Sequence, residues 1–138
     1  VRIEATRDID TCRALRRTVF IEEQGVPEAE EWDDLDDQAI HLLAWQGDRP
    51  VGTARVLLKG EVGKIGRVCV LEQARGTGLG AQLIGAAMDV LRAQPSIVQA
   101  RLGAQVHAIG FYEKLGFHVV GDVYDDAGIP HCDMVRSC

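Results

Sequence analysis

Long hydrophobic runs are missing from this chain. No stretch approaches the roughly 20 apolar residues that a bilayer span requires, and no basic-then-apolar leader opens it, so neither a membrane protein nor a secretory signal is expected. Positive charge is also in short supply. Fifteen lysines and arginines stand against 21 aspartates and glutamates, giving a formal charge of −6 and a pI near 5.1. That balance argues against nucleic acid, whose phosphates require a basic face. The four cysteines, Cys12, Cys69, Cys132 and Cys138, form no C-x-x-C pair and lie in unlike contexts, which favours reduced thiols in a cytoplasmic protein over a disulfide scaffold. Internal repeats, linkers and low-complexity tracts are absent too. The 138 residues, 46% hydrophobic and 26% charged, therefore read as one globular domain over residues 1–138.

The most informative stretch runs from Gly66 to Gly80, GRVCVLEQARGTGLG. A β-branched run (Val68, Cys69, Val70) leads into an arginine and three glycines, after which Ala81 to Leu91 repeats apolar residues at helical spacing. The expected unit is strand, glycine loop, helix. Gly76, Gly78 and Gly80 alternate with Thr77 and Leu79, so the backbone carries little bulk and can approach an anion closely. The first-turn N–H groups of a helix have no intrahelical partner and sit at the positive end of its dipole, which suits a pyrophosphate. Two chemistries share this pattern. Gly76, Gly78 and Ala81 satisfy the G-x-G-x-x-G/A dinucleotide fingerprint of a nicotinamide or flavin oxidoreductase, which also needs an acidic residue about 20 positions on. The next strand candidate ends in Arg101-Leu102-Gly103, with no carboxylate. The same residues also read as Arg75-x-x-Gly78-x-Gly80.

Taken in order, Val1 to Ala5 alternates as a first strand, and Thr6 or Asp8 can cap a helix whose apolar face is Cys12, Leu15, Val19 and Phe20. Arg13, Arg16 and Arg17 on its other face read as solvated arginines paired with nearby acids, with phosphate contact as the alternative. Glu28 to Asp37, EAEEWDDLDD, reads as a solvated acidic loop pinned by Trp32 and Leu35, or as a negative rim that draws in a cationic amine. A metal site built from these acids and His41 lacks the glycine turn and terminal glutamate of an EF-hand. Strands follow at Ala39 to Trp45, Val51 to Leu58 and Lys64 to Leu71, then the Ala81 to Leu91 helix stopped before Pro95. Ile97 to Leu102 is a strand parallel to its predecessor across that helix. A helix over Gln105 to Leu115, ended by Gly116, and an antiparallel pair, Phe117 to Tyr124 and His131 to Val135, complete an α/β order with a mixed central sheet flanked by helices.

Gln105 to Phe117, QVHAIGFYEKLGF, resembles the second signature of the GNAT (Gcn5-related) N-acetyltransferase superfamily, as Arg75-x-x-Gly78-x-Gly80 resembles its first, the R/Q-x-x-G-x-G/A acyl-CoA loop. Four further strings are similar to the ElaA-like branch: LRRTVFIEEQGVP, the acidic loop leading to His41, LGAQVHAIGFYEKLGF and VYDDAGIPHCDM. The resemblance covers nearly the whole chain. It implies the acyl-CoA N-acyltransferase fold, acetyl-CoA as cofactor, a small-molecule amine as acceptor, and direct attack in a ternary complex. It implies that backbone amides of Arg75, Gly76, Thr77, Gly78, Leu79 and Gly80 cradle the pyrophosphate, with Ala81 starting the helix and the Arg75 side chain on a phosphate. It further implies that the backbone of Val68, Cys69 and Val70 pairs with the pantetheine arm, one N–H polarising the thioester carbonyl. Gln105 would contact the cofactor, and Tyr112 would donate a proton to the departing thiolate, since a phenol of pKa near 10 stays protonated at neutral pH. For the base that takes the acceptor's proton, Glu23, His41 and His131 remain as candidates. Cys69 as a nucleophile is disfavoured because a cysteine between valines packs as a small hydrophobe. A homodimer follows by analogy alone, and a non-catalytic acyl-CoA-binding module is the rival reading.

Overall fold

Residues 1–138 are described by a computed structural model. Seven strands form in chain order: β1 (Arg2–Thr6), β2 (Ile40–Gln46), β3 (Arg49–Lys59), β4 (Val62–Val70), β5 (Gln99–Gln105), β6 (His118–Asp126) and β7 (Ile129–Ser137). They pair into one mixed sheet in the order β1-β2-β3-β4-β5-β7-β6, antiparallel throughout except for β4 and β5. The parallel pair is joined by α3 (Leu79–Arg92), the crossover expected from strand–helix–strand sequence. Leu79, Leu83, Ile84, Ala87, Met88 and Leu91 form the buried stripe of α3 against one face of the sheet, where Val51, Val56, Ile65, Ala100 and Leu102 meet it. At Gly63 a Cβ would stand 2.0 Å from Leu91 Cδ2, so helix and sheet approach as closely as only glycine permits. The short α4 (Ile109–Lys114) adds Ile109 and Tyr112 to the same core.

The opposite face is covered over β2, β3 and β4 by α1 (Ile9–Arg16). Asp8 caps α1, its Oδ1 accepting from the Thr11 N–H and its Oδ2 from the Thr11 hydroxyl. Cys12, Leu15 and Val19 bury against Leu43 and Cys69. The helix does not continue regularly to Gly25 as its apolar spacing predicts. Arg17–Glu23 is π-helical, and Gly25 at φ +73° then breaks the chain ahead of a one-turn helix, α2 (Glu28–Glu31).

A further difference concerns the second signature. Its first residue, Gln105, ends β5 instead of starting a helix, Val106–Ala108 forms a 3-10 turn, and α4 begins only at Ile109. The sheet ladder accounts for this: Gln105 is paired with His131 of β7, and that pairing outweighs local helical preference.

Candidate active site

Between β4 and β5 the sheet comes apart. The two strands pair only from Val62↔Gln99 to Ile65↔Leu102, although β4 runs on to Val70 and β5 to Gln105. A bulge marks the parting. Pairing with β3 jumps from Gly66↔Arg55 to Cys69↔Thr53, leaving Arg67 and Val68 opposite Ala54 alone, and Arg67 takes φ +50°. The β4 edge from Gly66 to Val70 is therefore without a strand partner on the β5 side. A cavity of about 260 Å³ opens there. Ala108 and Tyr112 line it from the α4 side, while Phe20, Gln24, Val26 and Glu30 line it from the π-helical and acidic segments. Gly66, Arg67, Val68, Gly103, Gln105, Tyr124 and His131 also line it.

At the end of β4 the chain makes the glycine loop. Gly76 (φ +78°) and Gly78 (φ +82°) are left-handed with no atom within 4 Å of a built Cβ, and Gly78 precedes α3 with no side-chain cap on the first-turn amides. Thr77 turns its hydroxyl inward to donate to the Ala74 carbonyl at 2.7 Å, so the backbone amides of Gly78, Leu79, Gly80 and Ala81 are not screened by a long side chain. This open loop at a helix start fits a pyrophosphate. The Arg75 side chain has another role. Its Nε donates to the Val70 carbonyl at 3.0 Å, while Nη1 and Nη2 meet the two carboxylate oxygens of Glu23 at 2.7 and 2.9 Å. Arg75 thus ties the glycine loop to the end of β4 and to the π-helical segment. The guanidinium expected on a phosphate is engaged by this brace in the structure.

The same contact revises Glu23. The Arg75 hydrogen bond holds its carboxyl below the usual range, which makes it a poor proton acceptor, and it does not line the cavity. His41 is displaced as a base for a different reason. It is buried on β2, its Nε2 donates to the Asp36 carbonyl at 2.8 Å, and it too is absent from the cavity wall. His131 remains. Its Nδ1 donates to the Ile129 carbonyl at 2.7 Å, which fixes the tautomer and leaves Nε2 with its lone pair free, and the ring stacks on Tyr124 at 6.0 Å.

Tyr112, the expected proton donor, lines the cavity. Burial pushes its phenol up to about 12, and its ring packs edge-on against Phe111 and Phe117 at 5.0 and 6.1 Å. Gln105 faces the cavity but bonds within the protein, Nε2 donating to Gln24 Oε1 at 2.9 Å and Oε1 accepting from His107 at 2.7 Å. Cys69 packs toward α1, and burial pushes its thiol up to about 12, so it is no thiolate nucleophile. Val68 and Val70 instead pack on the α3 side of the gap.

Sequence reasoning missed two clusters. Tyr124 donates to Asp133 Oδ1 at 2.7 Å, and Arg101 bonds Oδ2 at 2.7 Å. Gly103 permits this, since a Cβ there would stand 2.6 Å from the Tyr124 oxygen. The other cluster corrects the acidic loop and the arginine face together. Arg16 is almost fully buried, its Nε donating to Glu31 at 2.9 Å and its Nη1 to Asp36 at 2.8 Å. Arg13 and Arg55 also bond Asp36, Arg55 forks onto Asp33, and Arg67 reaches Glu31 and Asp33. Glu31 and Asp36 are buried and paired and Asp33 is half-buried, whereas Glu28, Glu30, Asp34 and Asp37 stay exposed, so the stretch is part inward ion network and part solvated loop. Only the pairing of Arg13, Arg16 and Arg17 with nearby acids was legible.

Residues 10–138 match the family described as Acetyltransferase (GNAT) domain. Protein ElaA of Escherichia coli is 38% identical over 127 residues, covering 89% of this chain and 83% of that protein, and its crystal structure superposes with a TM-score of 0.85 over 99% of both chains. An acyl-CoA N-acyltransferase of Pseudomonas aeruginosa is 30% identical over 99% of both chains with a TM-score of 0.87. A Bacillus subtilis acetyltransferase solved in complex with CoA shares the fold at a TM-score of 0.75 and 18% identity, over 99% of this chain and 98% of that one. None of the helices here is long and apolar enough to cross a membrane.

Proposed function

This chain belongs to the GNAT acetyltransferase family, and from that premise we propose that it transfers an acetyl group from acetyl-CoA to a small-molecule amine by direct attack in a ternary complex. The observation that carries the reading is the parting of β4 from β5. An unpaired strand edge, a glycine loop at a helix start and a buried phenol open onto or border one gap through the sheet. Amides from Gly76 to Ala81 would hold the pyrophosphate, and the free edge from Gly66 to Val70 would pair with the pantetheine arm. Acetyl-CoA, when bound, supplies an activated thioester carbonyl.

The chain's own residues then manage two protons. An ammonium must lose one before its nitrogen can attack, and His131, whose ring the Nδ1 bond to the Ile129 carbonyl orients, accepts it at Nε2 directly or through one water. The departing thiolate must gain one, and Tyr112 supplies it from a hydroxyl that burial keeps protonated. Arg75 and Glu23 keep the glycine loop in register with β4.

Thermal unfolding with acetyl-CoA, NAD and dephospho-CoA, followed by thiol release across an amine panel, tests the proposal. Acetyl-CoA at 100 times its dissociation constant stabilises the fold by about 2.7 kcal/mol. A response to NAD alone would overturn the cofactor assignment, and stabilisation without amine-dependent thiol release would turn the reading to a non-catalytic acyl-CoA-binding module.

A further inference from the structure

Arg67 is the strangest residue in the cavity wall. It is a non-glycine residue at φ +50°, a conformation that L-residues adopt at a cost and that persists where the surroundings over-determine it. The bulge at Arg67 and Val68 re-aims its side chain off the strand alternation and into the cavity lining. One side of the guanidinium is held: Nη2 donates to the Glu31 carbonyl at 3.1 Å and to Asp33 at 3.4 Å, while Nε lies 3.0 Å from Glu31 Oε2 as an ion pair without a hydrogen bond. Nη1 has no protein partner.

Neutralising the acids does not require this arginine. Glu31 is already bonded by Arg16, Asp33 by both Nη atoms of Arg55, and Asp36 by Arg13, Arg16 and Arg55. Four guanidiniums serve three carboxylates, so the connected network carries one positive charge in excess, and Arg67 is its cation at the cavity, beside Glu31. The other charged side chains of the wall are Lys64, also cationic, the exposed carboxylates Glu30 and Asp126, and the buried Glu31, which Arg16 and Arg67 already pair. A wall with both signs matches a ligand with both signs. A plain amine would answer Glu30 and Asp126 and leave Arg67 unanswered. The volume of about 260 Å³ falls just under the roughly 300–1,000 Å³ usual for small-molecule sites, which favours a small acceptor.

We propose that the acceptor is a zwitterionic amine, an amine with a carboxylate on the same small molecule, and that Arg67 selects it by presenting Nη1 to that carboxylate. This rests on the acetyl-transfer reading and sharpens its substrate class. The buried Glu31 and half-buried Asp33 carboxylates act as positioning residues that hold the guanidinium edge, so the cation is preset before the ligand arrives.

The test uses matched acceptors on the whole protein: glycine against methylamine, phenylalanine against phenethylamine, and lysine against cadaverine. Thiol release from acetyl-CoA is read for each, together with the thermal shift each amine produces without acetyl-CoA. The wild type should show a kcat/KM at least tenfold higher for the carboxylate-bearing member of some pair. Arg67→Gln should raise KM for that member by about ten- to a hundredfold and bring the kcat/KM ratio within that pair toward one. The wild-type comparison needs no variant, so a poorly folding Arg67→Gln does not block the test. Equal kcat/KM within every pair would overturn the inference while the acetyl-transfer reading stands. Selective stabilisation by carboxylate-bearing amines without thiol release would do the opposite. Neither turnover nor stabilisation with any pair overturns the inference as well.

Discussion

Asp36→Asn isolates the buried ion network. Asp36 is 1% exposed and accepts from Arg16 Nη1 at 2.8 Å, Arg13 Nε at 2.9 Å and Arg55 Nη1 at 3.0 Å. Burial opposes its ionisation, but hydrogen bonds from Arg16 and Arg13, the charge of Arg16 and the bond from Arg55 outweigh that penalty and hold the carboxyl far below the usual range. Asparagine keeps the shape, removes the charge and turns an NH₂ toward guanidinium donors. Breaking a buried pair in this way costs about 3–5 kcal/mol, because Arg16 and Arg55 stay buried with one counter-charge fewer between them. At roughly 2.1 cal/mol/K of unfolding entropy per residue, a chain of this length has ~0.29 kcal/mol/K, so the expected fall in Tm is ~10–17 °C. The assay is thermal unfolding, with urea unfolding as the check and Asp34→Asn, an exposed neighbour, as a control within about ±0.5 kcal/mol. The sign of the pH dependence follows from the depressed folded value. Stability from Asp36 is complete above the unfolded carboxyl pKa of about 3.9 and is lost as pH falls toward the folded value, so the two proteins converge below about pH 4. A loss under about 1 kcal/mol at pH 7 would refute the reasoning and mean that water screens the network.

Three other outcomes follow from the site. Tyr112→Phe should lower kcat by about 10²–10⁴ while the acetyl-CoA thermal shift stays within a degree; unchanged turnover would remove the phenol as the acid. His131→Gln should cut kcat by a similar factor, whereas unchanged turnover would exclude it as the base. Gly78→Ala meets no steric neighbour, so its cost is the left-handed backbone alone, about 1–2 kcal/mol, and it should weaken CoA binding in calorimetry; unaltered affinity would move the anion site off the loop.

Local chemistry was legible wherever it acts locally. The Gly66 to Gly80 run fixed strand, loop and helix because φ above zero at Gly76 and Gly78 and the apolar stripe from Leu79 to Leu91 are written in adjacent residues. The order of the elements and the parallel crossover followed from the same patterns. What was hidden lies in pairings across the chain. Nothing within Glu28 to Asp37 says that Glu31 and Asp36 fold inward, because the arginines that neutralise them come from α1, β3 and β4. Gln105 looked helical until β7 claimed it. The π-helical turns escape apolar spacing, since hydrogen bonds shifted by one residue leave the composition of the face almost unchanged.

Unpaired strand edges invite other strands, and proteins blunt them with charge, proline or cover. The edge from Gly66 to Val70 lies instead inside the sheet, where β5 closes one end of the gap at Ile65↔Leu102. A foreign polypeptide strand cannot lie along it flat at full length, because β5 and its neighbours already occupy that plane. A slender, amide-bearing chain can. The wedge shape therefore discriminates by thickness: it leaves backbone hydrogen-bonding capacity available for a narrow ligand while denying the same capacity to aggregation.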